Sequence, residues 1–130
     1  DIGMSNATTG KSISTVMLPG RVDSATAASV EALLLAELRP NGRLIIDGSD
    51  VSYMSAAGVR TLATVLHRAA DVGAKVVLCR FSGPAADCLL VSGFSELFDV
   101  AADVMDATRR LTQGIVGDPA ERLHRRGATG

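Results

Sequence analysis

The chain has little with which to grip a nucleic acid, a membrane or a metal ion. It holds one tyrosine, three phenylalanines and no tryptophan, and 13 Lys/Arg stand against 14 Asp/Glu for a net charge of -1. No basic stripe with interleaved aromatics is present to meet a phosphate backbone and stack on bases, which argues against nucleic acid as a partner. Long hydrophobic runs are also missing. The richest segment, "ASVEALLLAELRP", is broken by Glu31 and Glu37, well short of the roughly 20 apolar residues that cross a bilayer. Direct membrane insertion is therefore not expected. The opening "DIGMSNATTG" has neither the basic region nor the apolar core of an export signal, so the expected location is the cytoplasm.

Groups that perform chemistry are equally scarce. The two cysteines, Cys79 and Cys88, lie in apolar sequence without a partner at metal-ligand spacing. They read as buried reduced thiols, the alternative being a redox pair. His67 falls on a predicted helix away from its apolar stripe and His124 in the C-terminal segment, neither with a triad or metal partner in sequence, so both read as exposed bystanders. "SNATTGKS", residues 5–12, imitates the end of a phosphate-binding loop, but Ser5 stands where the first glycine belongs and no strand precedes it. Asp23, Asp47 and Asp50 could converge for acid/base work if burial raised a pKa. Alternatively, Asp23 and Asp50 hold loops through side-chain to backbone hydrogen bonds. The expectation is no metal, no cofactor and no enzyme.

What remains is a regular alternation of elements. At 130 residues the length suits one domain. "SISTVML" alternates as a half-buried strand and ends at Pro19-Gly20. "PGRVDS" reads as a loop in which Asp23 or Ser24 caps a helix carrying Ala27, Val30, Leu34 and Leu38. "RLIID" is a strand covered on both faces. A second helix starts near Ala56, buries Val59, Leu62, Leu66 and Ala70, and stops at Gly73. "AKVVLCRF" is the next buried strand, and "GPAADCLLVSG" a short helix with Pro84 in its first turn. "ELFDV" is the last short strand, and Val104, Ala107 and Leu111 mark a closing helix. This order predicts an α/β domain: a mostly parallel sheet of four to five strands with covering helices, spanning 12–112. Residues 1–11 are expected to be a disordered leader and 113–130 a flexible tail. Work in such a sheet is done at the carboxyl ends of its strands, here Gly20 to Ser24, Asp47 to Ser55 and Arg80 to Gly83.

The stretch "VSYMSAAGVRTL" at this mouth has little side-chain volume where the second helix begins. Ser55 suits an N-cap, and Ala56, Ala57 and Gly58 follow as a first turn that another protein could approach closely. Close packing of the helix on the sheet demands small residues as well, and the two readings stand level on composition alone.

In spacing, the chain resembles a STAS domain, the fold of anti-sigma-factor antagonists. Leu18, Gly20 and Asp23 match a pattern like L-x-G-x-x-D. Met54, Ser55, Ala56, Ala57, Gly58 and Val59 match a signature like M-D-S-S-G-L, and Leu89, Ser92, Gly93 and Phe98 match a later L-x-x-S-G segment. The resemblance runs from about Ser12 to Leu111. It implies a non-catalytic, partner-switching regulator of transcription that binds an anti-sigma factor with kinase activity, which phosphorylates the serine after the signature aspartate. The implied partner-binding residues are Asp23, Ser24, Ser52, Met54, Ser55, Ala56, Ala57, Gly58 and Arg60, with Asp23 holding the two loops together beside Ser55. The chain departs from the pattern at the decisive point: Ser55 replaces the aspartate, and Ala56 replaces the phosphoacceptor. Permanent binding without a phosphorylation switch follows, or phosphorylation of Ser55 or Ser52 instead. The alternative is a STAS accessory subunit bound to the ATPase of an ABC-type lipid transporter. Family members commonly begin with an extra edge strand, for which "DIGMSNATT" is poorly suited. An open "SISTVML" edge could then pair with another chain and give a homodimer.

Overall fold

The computed structural model describes residues 12–93 and 95–113. The segments expected as leader and tail lie outside the described residues, apart from Gln113. Strand β1 (Ile13–Met17) leads through a two-residue strand β2 (Arg21–Val22) to helix α1 (Ala27–Glu37) and strand β3 (Arg43–Asp47). A second two-residue strand, β4 (Tyr53–Met54), introduces helix α2 (Ala56–Val72) and strand β5 (Lys75–Cys79). Helix α3 (Gly83–Val91), a 3-10 turn (Ser95–Leu97), strand β6 (Val100–Ala101) and helix α4 (Val104–Gln113) complete the order.

The main sheet has four strands in the order β1-β3-β5-β6, all parallel. Each connection between parallel strands must cross over the sheet, which explains the helices between them. Alternation along the strands divides the interior in two. Val16, Leu44, Ile46, Val76 and Leu78 face one way and pack with Val30 and Leu34 of α1, with Val59, Leu62 and Leu66 of α2, and with Ala85 and Leu89 of α3. Ile45, Val77, Cys79 and Ala101 face the other way, against Ala107 and Leu111 of α4. Both faces of β3 and β5 are therefore covered, as the unbroken apolar runs require.

The structure corrects three element readings. Arg21–Val22, read as part of a loop, and Tyr53–Met54, assigned to no strand, form a separate two-stranded parallel ladder. In "ELFDV" the first residues belong to the 3-10 turn, and the strand begins only at Val100. In α2 the stripe closes with Ala69, fully buried, rather than Ala70. The stop at Gly73 is as expected: it takes a left-handed φ of 71°, and its amide donates to the Ala69 and Ala70 carbonyls.

Candidate functional site

The carboxyl ends of β1, β3 and β5 carry the loops that build the mouth of the sheet. Backbone ties bring the first two together. The Ser52 and Tyr53 amides donate to the Gly20 carbonyl at 2.8 and 3.2 Å, and the Ser55 amide donates to the Val22 carbonyl at 3.0 Å. The Ser52 hydroxyl adds a bond to the same Gly20 oxygen at 3.1 Å. Arg21 and Tyr53 are register partners, and the guanidinium lies 4.6 Å from the ring centroid, within cation–π range. This ladder delivers the chain to Ser55, whose extended backbone and hydroxyl cap α2 by accepting from the Gly58 amide at 3.4 Å.

The first turn of α2 divides between surface and core. Ala56 is exposed, Ala57 half-buried and Gly58 buried. A Cβ at Gly58 would sit 2.4 Å from the Val22 carbonyl oxygen and 2.8 Å from Val22 Cγ1. Gly58 is therefore glycine because β2 crosses directly over it, whereas Ala56 opens onto solvent. Both explanations of the small residues hold, each for a different residue.

Beneath the mouth lies an ion pair that sequence reasoning passed over. Asp47, with its side chain 2% exposed, accepts from Arg80 Nη2 at 2.7 Å and from Arg80 Nε at 3.2 Å, and its Oδ1 takes the Ser49 amide at 2.9 Å. Burial pushes the Asp47 carboxyl up, but the Arg80 and Ser49 hydrogen bonds outweigh it and hold the pKa below the ordinary value. Arg80 holds a left-handed φ of 62°, a conformation that costs a non-glycine residue energy.

The residues expected to bind a partner are not equally available. Ser24, Ser52, Ala56 and Arg60 are exposed, and Asp23, Ser55 and Ala57 are half-buried. Met54 and Gly58 are buried and support the surface from below. Asp23 does not bridge the two loops. Its carboxylate accepts from the Ala25 and Thr26 amides at 3.0 and 3.2 Å and from Arg21 Nε at 3.2 Å, all within its own turn. Desolvation raises its pKa, and the Thr26, Ala25 and Arg21 bonds together outweigh it and hold the pKa below the ordinary value. Asp50 is exposed and lines a separate groove with Met17, Leu18 and Pro19. The acid/base reading needs a raised carboxyl, and Asp23 and Asp47 are both lowered. The cysteines belong to opposite faces of the sheet, Cys79 with the α4 cluster and Cys88 against the other, so they are not a redox pair. Burial, reinforced by Asp47, pushes the Cys79 thiol up to about 11, which makes it a poor nucleophile at neutral pH.

Sequence reasoning also missed an apolar feature beside Ala56. A groove of about 290 Å3 runs between the start of α2 and the end of α3, lined by Ala56, Val59, Arg60, Cys88, Val91 and Ser92. The signal was the run Leu89-Leu90-Val91: successive helical residues point about 100° apart, so a single core-facing stripe cannot hold all three.

A parallel sheet with helices on both faces, and a capped small-residue turn at its strand ends, is the arrangement expected of a STAS domain. The chain belongs to the STAS domain family, whose family model matches residues 5–107. It is 33% identical over 85 residues, 65% of this chain and 73% of the relative, to BtrV of Bordetella bronchiseptica, a protein named as a candidate anti-sigma factor antagonist. Its fold is similar to that of an anti-sigma-factor antagonist (STAS) domain protein from Planctomyces limnophilus, with a TM-score of 0.67 and 15% identity, covering 75% of this chain and 89% of that one. The STAS domain of a SulP transporter from Vibrio cholerae is also similar, with a TM-score of 0.60 and 19% identity, covering 86% and 94%. No helix among the described residues is long and apolar enough to cross a membrane.

Proposed function

We propose that the chain is a non-catalytic anti-sigma-factor antagonist in the cytoplasm that binds an anti-sigma factor with kinase activity through the start of α2 and is not released by phosphorylation. The observation that carries this reading is Ala56: it occupies the exposed first position of α2, where the family pattern places its phosphoacceptor serine, and it has no hydroxyl. The neighbouring Ser55 hydroxyl is engaged as the helix cap, and the Ser52 hydroxyl is bonded to Gly20. The BtrV likeness supports the antagonist role. A phosphoserine would add roughly -1.5 to -2 charges to this face. Without an acceptor, the amount of protein rather than its modification sets how much partner is held.

The test is capture from a lysate of the native host, comparing tagged wild type with Ala56→Glu, which adds charge and bulk at an exposed position without the backbone collision that any side chain at Gly58 causes. Retention of a kinase-like anti-sigma factor by wild type and its loss by the variant is the expected outcome. Capture of a transporter ATPase with its membrane partners would overturn the reading in favour of an accessory subunit.

A further inference from the structure

We propose that the groove between α2 and α3 receives an apolar side chain of the anti-sigma factor, flanked by a carboxylate that pairs with Arg60. This rests on the antagonist reading and names the chemistry of the partner segment. Three observations point to that occupant. The groove begins at Ala56, so it continues the face proposed to dock. Its α3 side presents an aliphatic side chain to solvent: Val91 lines the groove and is 83% exposed, surface that a partner would bury favourably. The groove's single charged lining residue is Arg60, exposed and outside the ion pairs of the described residues.

These features favour a different protein over a second copy of this chain. A two-fold interface that set this groove against the same groove of a second copy would present the same lining from both sides, in which Arg60 is the charged residue and no acidic side chain is available to pair with it. Like charges so placed oppose association, whereas a carboxylate from a different protein satisfies the guanidinium and fixes the register of the segment. The apolar contact supplies the burial, and the charge selects the partner.

The experiment uses the full chain and the purified kinase-type anti-sigma factor of the same host, with affinity read by isothermal titration calorimetry. Arg60→Glu and Val91→Asp are each expected to weaken binding at least tenfold. Both sites are exposed, so circular dichroism and melting temperature should stay at wild-type values. Binding within twofold of wild type for both variants, with Ala56→Glu still failing to bind, would overturn the groove assignment and leave the antagonist reading standing. If Ala56→Glu also binds like wild type, the docking face itself is wrong. Sedimentation supplies a further check: a wild-type dimer that Val91→Asp converts to monomer would assign the groove to self-association and overturn the proposal.

Discussion

Ala56 and Ser55 sit side by side, yet substituting them has different expected costs. Ala56 faces solvent, so Ala56→Ser should alter stability by no more than about 0.5 kcal/mol while supplying the missing hydroxyl. Ser55 satisfies an amide that the helix start leaves unpaired. Ser55→Ala should cost about 1 kcal/mol in urea denaturation, and an unchanged midpoint would show that water caps the helix equally well. The Asp47–Arg80 pair makes a pH-dependent prediction. The folded pKa of Asp47 lies below the ordinary value. The pair's contribution is therefore present above the unfolded aspartate value of about 3.9 and is lost as pH falls through the lowered folded value. Arg80 is 43% exposed, which allows water to replace part of the interaction. Asp47→Asn should accordingly cost about 2 kcal/mol at pH 7, with the gap to wild type narrowing as pH falls below about 3.9. A gap constant across that range would contradict the assignment.

At the scale of elements, the two-residue ladder β2–β4 governs the site, and it was the hardest part to read from sequence. A pair of residues has no period, and "RV" and "YM" are flanked by Gly20, Asp23 and Ser52, the composition of loops. Their pairing comes from tertiary contacts: Gly20 and Val22 carbonyls accept from the β4 side, and Gly58 lets α2 begin beneath Val22. The long apolar runs of β3 and β5 and the stripe of α2 were legible because length and periodicity carry them. The small turn was also legible, but composition could not tell Gly58, which packs, from Ala56, which is open. Gly58→Ala should destabilise by about 1–3 kcal/mol, because its Cβ meets backbone that cannot swing aside. A wild-type melting temperature for that variant would show that β2 does not cross so closely.

For the whole molecule, the division of labour follows from the sheet. Its two faces are committed to core, one under α1, α2 and α3 and the other under α4. Interaction is left to the strand ends and to helix surfaces such as the end of α3. Charge is nearly balanced, so long-range steering contributes little, and specificity must come from local shape and from single charges such as Arg60. The central claim is that the partner binds a chain it cannot phosphorylate. It is tested most directly by mass spectrometry of wild type and Ala56→Ser after incubation with the anti-sigma kinase and Mg-ATP, with complex formation followed in the same samples. The account predicts no added phosphate on wild type and a retained complex, but one phosphate on Ser at position 56 of the variant and release of its partner. Stoichiometric phosphate on Ser55 or Ser52 of wild type, accompanied by release, would contradict it.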